Sequence, residues 1–451
     1  MQSSRNNIWL ALLVIAIGAL LAGLGVLLWW LIVDRHEIST NILLEGTGLG
    51  DVQQTAALTR LGRAGEMFWW FFPTLASAGV ARPIILWLDG VTGLPPSAFA
   101  NFGMFGPLDF NRNKRNDSWI NEYNLLFVDA PIGTGFSKAR TDNRIPQALE
   151  ENANHLVHVL RAFYTHHEAY QRSPLYIFGQ GHGAQLAVSL AIQLTDVDFS
   201  HNLQGVVLGN GIISPALALT KLGFYLEEMG YIDATGRAVI EGFSAETNRL
   251  VNNEDYEEAY DKFLSLGRIV EEEAGTVAVN LRRITDKLVR NPSAADYFGQ
   301  KNYLRSMLDD VDINKFMMET VAPSLGISIT FDAQRDAVVN AFRSSFMVPT
   351  VDKVEYILSN TSFKVAIYNG NLDAVSTTPG QLEWIDNLEW SGQDAFRNSE
   401  RQPIAVNSLL QGYFRETERL TFYWINAAGQ SVPLDSPEAA QRILQKIIFN
   451  I

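Results

Sequence analysis

The sequence predicts an α/β protein: a mostly parallel central sheet covered by helices, with a helical cap insertion and an N-terminal transmembrane helix. Three observations predict it. Short apolar runs at Ile84–Leu88, Asn124–Val128 and Leu175–Phe178 alternate with stretches of helical spacing, the rhythm of a sheet whose strands are buried on both faces. From about Ser214 to Ser345 charge density rises and helical patterns replace strand-like runs, which resume at Lys364–Tyr368 and Leu420–Ile425. Finally, Ile8–Val33 is uncharged and almost wholly apolar, long enough at ~1.5 Å per residue to cross a hydrocarbon core of ~30 Å with some tilt.

Taken in order, residues 1–7 are expected to be a cytosolic tail and 8–33 a signal-anchor in the lipid bilayer. Trp9 and the Trp29-Trp30 pair suit the two membrane interfaces, and no small-residue cleavage site follows the run. Arg5 and the amino terminus precede the span while Asp34, Arg35 and Glu37 follow it, so the slight positive bias places the N-terminus inside and the rest in a secretory or endosomal lumen or outside the cell. The glycosylation sequons at Asn116 and Asn360 are compatible with that side. Residues 34–65 are weakly patterned and read as a stalk; 66–213 form the first part of the core, 214–345 the helical cap and 346–451 the second part of the core. Within the first part, Phe68–Phe72 reads as a strand, and Leu149, Ala153, Leu156, Val159, Leu160 and Phe163 mark one face of a helix. In the cap, Ile269, Val270, Ala274, Val277, Leu281, Ile284 and Leu288 make a helical stripe with Glu271–Glu273 on its solvated side.

Composition bounds the chemistry. At 451 residues with 47% hydrophobic side chains the chain can bury a sizeable core. A formal charge of −14 disfavours a nucleic-acid partner, which needs a basic surface. Cysteine is absent, which removes disulfides, thiolate metal sites and thiol nucleophiles. Neither a metal nor a cofactor is expected.

The stretch Leu175–Leu194 organises the rest: a buried strand, the turn Gly179-Gln180-Gly181-His182-Gly183, then an Ala/Leu/Val helix. This is the pattern of a nucleophile elbow, G-x-S-x-G, in which a serine sits at the tip of a strained turn. Here the tip is Gly181, which has no nucleophile. Gly179-x-Gly181-x-x-Ala184 equally fits a dinucleotide-binding turn, but the following strand candidate ends in Asn210 where that motif wants an acid. A plain strand–helix turn is the third reading, and the local sequence leaves all three open.

In an α/β-hydrolase the nucleophile is followed in the chain by an acid and then a histidine, each on a loop after a strand. The first late junction carries Asp373, six residues after Ile367; the second carries Gln430 after Ile425. The seven histidines (His36, His155, His158, His166, His167, His182 and His201) all precede residue 202, so none can follow Asp373. A glutamine amide has too little proton affinity to act as a general base. His182 is the one histidine beside the elbow, with packing the more ordinary role for it; the His166-His167 pair cannot easily aim both rings at one metal. Ser137 and Ser376 lie on neighbouring loops without a visible base.

Across roughly residues 65–450 the chain resembles serine carboxypeptidases, and among them the retinoid-inducible type. The stretches that carry the resemblance are Trp87–Pro96, Gly106–Asp109, Asn124–Ser137, the elbow, Tyr368–Asp373 and Ala428–Glu438. The resemblance implies an α/β-hydrolase core with a helical cap, removing single residues from peptide C-termini. Residue by residue it places the nucleophile at Gly181, the base at Gln430 and the triad acid at Asp373, of which Asp373 alone is as in the family. The oxyanion-holding amides would belong to Val91 and His182, and the groups that grip a substrate carboxylate fall on Asp89, Met104 and Gln180. The expectation is a catalytically inactive, membrane-anchored carboxypeptidase homologue that binds a peptide or protein, with a homodimer allowed. A hydrolase with a relocated nucleophile and a nucleotide-binding oxidoreductase are the alternatives.

Overall fold

The buried apolar runs become strands because each can pair on both edges while helices cover both faces. A computed structural model describes residues 15–25, 39–77, 79–90, 94–287, 312–333 and 335–449. Among these, twelve strands form one sheet: β1 (Thr40–Thr47), β2 (Gln53–Arg60), β3 (Gly65–Phe72), β4 (Ile84–Leu88), β5 (Asn124–Val128), β6 (Lys138–Ala139), β7 (Leu175–Gln180), β8 (Leu203–Gly209), β9 (Lys364–Gly370), β10 (Gln402–Val406), β11 (Leu409–Glu416) and β12 (Leu420–Ile425). The spatial order is β1-β2-β3-β5-β4-β7-β8-β9-β12-β11-β10, with β6 on β3. The centre from β5 to β12 is parallel, as expected. Both flanks are antiparallel, so the whole sheet is mixed. Alternation along β3 divides the core: Trp69 and Phe71 join the helices Leu149–His166 and Gly183–Gln193 on one face, and Phe68, Trp70 and Phe72 join the other.

Two expectations change. Residues 34–65 do not form a stalk, because by Thr40 the chain is already in the sheet and β2 is buried along six of its eight residues. The polar character of β2 hid this. Thr59 Oγ1 accepts from the Trp69 indole at 3.0 Å and Gln54 Oε1 from the Trp70 indole at 3.0 Å, so side chains that look solvent-facing serve as acceptors for buried tryptophans. The cap stripe is not one helix. The helix Leu266–Glu273 stops, Gly275 and Thr276 take φ of 85° and 61°, and residues 277–287 form a non-helical loop closed by a bridge between Val279 and Lys287. Leu288 lies outside the described residues. Of the apolar run Ile8–Val33, residues 15–25 are described and are helical, with Ile15 and Leu20 each 67% exposed. Among the described residues no helix is long and apolar enough to cross a membrane, and the rest of the expected span lies outside them.

Candidate active site

The elbow forms where the carboxyl end of β7 meets the helix Gly183–Gln193. Gly181 has φ of 56°, a region that L side chains enter only under strain. Its amide donates to Gly209 O at 3.1 Å and its carbonyl accepts from Ile212 N at 3.0 Å, which ties the tip to the loop after β8. A Cβ on Gly183 would lie 2.1 Å from Leu88 O, and one on Gly179 2.2 Å from Gly183 O, so these two glycines permit the close crossing of strand and helix. The turn therefore has the backbone of an elbow and no side-chain oxygen at its tip.

Asp373 follows β9 and is fully buried. Its Oδ1 accepts from Val375 N at 2.8 Å and Ser376 N at 3.2 Å; its Oδ2 accepts from Asn210 Nδ2 at 2.9 Å and the Ser376 hydroxyl at 2.8 Å. Burial raises the carboxyl above its ordinary value, and these four bonds oppose the rise. In this chain Asp373 thus braces its own loop and the loop after β8. Gln430 follows β12 and is buried; its backbone N–H donates to Arg282 O at 2.8 Å. Residues 280–287, after the break in the cap, lie against both loops: Ala374 N donates to Leu281 O at 2.7 Å and Ile284 N to Leu372 O at 2.9 Å. Asn280 Oδ1 holds this segment by accepting from the amides of Arg282 and Arg283 at 3.1 and 3.2 Å.

The three positions expected to grip a substrate carboxylate separate by chemistry. Asp89, at the end of β4, accepts from Trp87 Nε1 at 2.8 Å and Gln180 Nε2 at 3.0 Å. Gln180 Nε2 also donates to Ser431 Oγ at 3.2 Å, so Asp89, the elbow and the loop of Gln430 form one buried chain. Desolvation lifts Asp89 to about 7, with the buried Arg282 acting against the rise and Asp129 adding to it. Asp129 is itself lifted by burial to about 6 while it accepts from Ser97 N, Ser97 Oγ and Phe136 N at 3.1, 2.8 and 3.0 Å. Met104 is buried in the turn Phe99–Phe105 among aromatic side chains, and its thioether offers only a weak acceptor. The three positions are not joined by a hydrogen bond through Met104, and Val91 lies outside the described residues.

His182 points into packing. Its ring stacks on Phe346 at 5.3 Å and 8° and meets Phe342 edge-on at 5.2 Å, and burial lowers it to about 3. His166 and His167 diverge: His166 Nε2 pairs with Glu45 at 3.2 Å, while His167 packs on Phe71 at 5.0 Å. Ser137 accepts from Phe68 N at 2.8 Å and is buried. Asn116 and Asn360 are exposed. Sequence reasoning missed Arg282, Asn210 and Ser431. Only the first carried a signal, a double arginine in an otherwise apolar stripe.

A parallel core with an elbow after β7, an acid loop after β9 and a further loop after β12 defines an α/β-hydrolase. The profile of the family described as serine carboxypeptidase matches residues 51–450, and the chain belongs to that family. It is 28% identical over 403 residues to the retinoid-inducible serine carboxypeptidase of Rattus norvegicus, covering 85% of this chain and 88% of that one. It is 29% identical over 412 residues to serine carboxypeptidase-like 51 of Arabidopsis thaliana, covering 85% and 89%. The fold is similar to that of a prohormone-processing carboxypeptidase from Saccharomyces cerevisiae, with a TM-score of 0.75 at 22% identity over 90% of this chain and 94% of that one.

Proposed function

We propose that the chain is a catalytically inactive serine carboxypeptidase-like protein, anchored in a membrane through residues 8–33, that binds a peptide or protein in the secretory lumen or outside the cell. One observation carries the reading: the elbow backbone is kept while its tip, Gly181, has no side chain and the base position holds Gln430. Loss of one triad member costs about 10⁴- to 10⁶-fold in turnover, and here two are missing. Incubation of the purified full chain with unblocked peptides from acid to neutral pH should release no C-terminal residues. Release of single residues by the chain, abolished by blocking the pocket, would sink the proposal. Flotation of the full chain with lipid vesicles tests the anchor; a chain left in the soluble fraction would end that part.

A second reading, a hydrolase with a relocated nucleophile, draws on the Ser376 hydroxyl, which donates to the burial-raised Asp373 at 2.8 Å. Against it, Ser376 is buried and its hydroxyl also lies 3.2 Å from Asn210 O. A serine-directed fluorophosphonate should leave the chain unlabelled; labelling lost on Ser376→Ala would favour this second reading.

A further inference from the structure

Four cations gather at one rim of the sheet. Arg60 at the end of β2 lies opposite Glu66 in β3, and Glu66 lies opposite Lys138 in β6, so the three share one face. Arg63 sits in the turn between β2 and β3, and Arg140 follows β6 with its amide donating to Ala64 O at 2.9 Å. Arg60, Arg63, Lys138 and Arg140 are all exposed, and none is in an ion pair among the described residues. Glu66 is the one carboxylate in this register, and the nearby Asp142 is already paired with Arg335 at 2.6 Å. In a chain of formal charge −14, such a cluster runs against the overall balance.

The same rim is where the chain enters the fold. Arg60 N donates to Ser39 O at 2.7 Å, and Thr40 lies opposite Thr59. The apolar run ends at Val33, and seven residue steps from there to Thr40 span at most ~25 Å when fully extended. The cationic rim is therefore leashed close to the surface of any bilayer that holds that run.

We propose that this rim docks on the phosphate groups of lipids in the membrane that anchors the chain; the inference rests on the membrane-anchored reading above. Lysine and arginine make charge-assisted hydrogen bonds to phosphate oxygens, and salt screens that attraction, so the contact is salt-sensitive. It turns the carboxyl ends of the parallel strands, where the elbow lies, towards the membrane, because β3 pairs antiparallel with β5.

The chain has no cysteine, so single labels are simple to place. Full-length chain would be incorporated in nanodiscs containing anionic lipid and headgroup-attached nitroxide. A fluorophore on Thr141→Cys reports the rim, and one on Gln53→Cys reports the other end of β2, about 23 Å away. The rim label should be quenched more strongly than the distal one. Added salt, or Arg60→Ser, Arg63→Ser and Arg140→Ser combined, should reduce its quenching. Equal quenching of the two labels in the unsubstituted chain, or rim quenching indifferent to salt, would overturn the docking and leave the anchor standing. Failure to enter the nanodisc at all would overturn both, and is seen separately as protein that does not co-elute with lipid. Should the combined variant fail to fold, the salt series on the unsubstituted chain decides.

Discussion

A side chain added at position 181 must accept φ of 56°, which costs on the order of 1–3 kcal/mol for a residue other than glycine. In a working elbow that strain aims the nucleophile; here glycine relieves it, and nothing is aimed. Gly181→Ser is therefore expected to lower stability by about that amount in denaturant titrations. Combined with Gln430→His, it should raise labelling by a fluorophosphonate above that of the parent chain. No labelling in a folded double variant would mean that the loops around Asp373 no longer stand where a triad needs them. Asp89 is the second residue with a clear consequence. Its folded value of about 7 exceeds the ordinary aspartate value of 3.8, so the folded state holds this proton more tightly than the unfolded chain does. The stability this contributes is fully present below 3.8 and is lost as pH rises through about 7. Unfolding measured across that window should show a decline, and Asp89→Asn should flatten it. The absolute stability of the variant falls at acid pH, because an amide cannot accept from Trp87 and Gln180 together in the same arrangement.

At the scale of the element, β2 shows how a strand can be built from residues that a hydropathy pattern passes over. Thr59 and Trp69 are both fully buried, and the indole N–H has the Thr59 hydroxyl as its acceptor. Thr59→Val keeps the shape and orphans that donor, so a loss of about 1–3 kcal/mol is expected in thermal or chemical unfolding. A neutral result would mean that water reaches the indole. The parallel strands β4, β5 and β7 were legible as strands because each is a short apolar run between turn residues. The break after Glu273 was not, since Val277, Leu281 and Ile284 keep helical spacing while left-handed Gly275 and Thr276 redirect the chain. Periodicity reports which residues are buried, and it does not register where a backbone turns over between them. In the candidate site, Gly181, Asp373 and Gln430 could be placed from motif order alone. The bonds that engage Asp373 could not, because Asn210 and Ser376 reach it from different loops and only folding brings them together.

Across the whole molecule, the cap and the two halves of the core meet at Arg282. This side chain is 1% exposed, comes from the cap, and lowers the proton affinity of Asp89 in the first half of the core, while its carbonyl accepts from Gln430 in the second half. Its place could not be read from spacing, because the stripe assigned it to a helix that does not exist. Arg282→Met retains bulk and removes the charge. Its loss withdraws a positive charge that favours ionised Asp89, so the variant should unfold earlier at neutral pH. Its Asp89 should also titrate higher than in the parent, because a favourable neighbouring charge is gone. An unchanged Asp89 titration, followed by carboxyl infrared bands or NMR, would show that Arg282 acts only through packing.

The main-chain bonds from Leu281, Arg282 and Ile284 to the loops of Asp373 and Gln430 set how that region breathes. A cover joined only by side chains can lift while the sheet beneath stays whole. Here the amide protons of Ala374, Gln430 and Ile284 are locked into a seam between separate parts of the chain, so deuterium should enter all three together, at the pace of the slowest-exchanging neighbours.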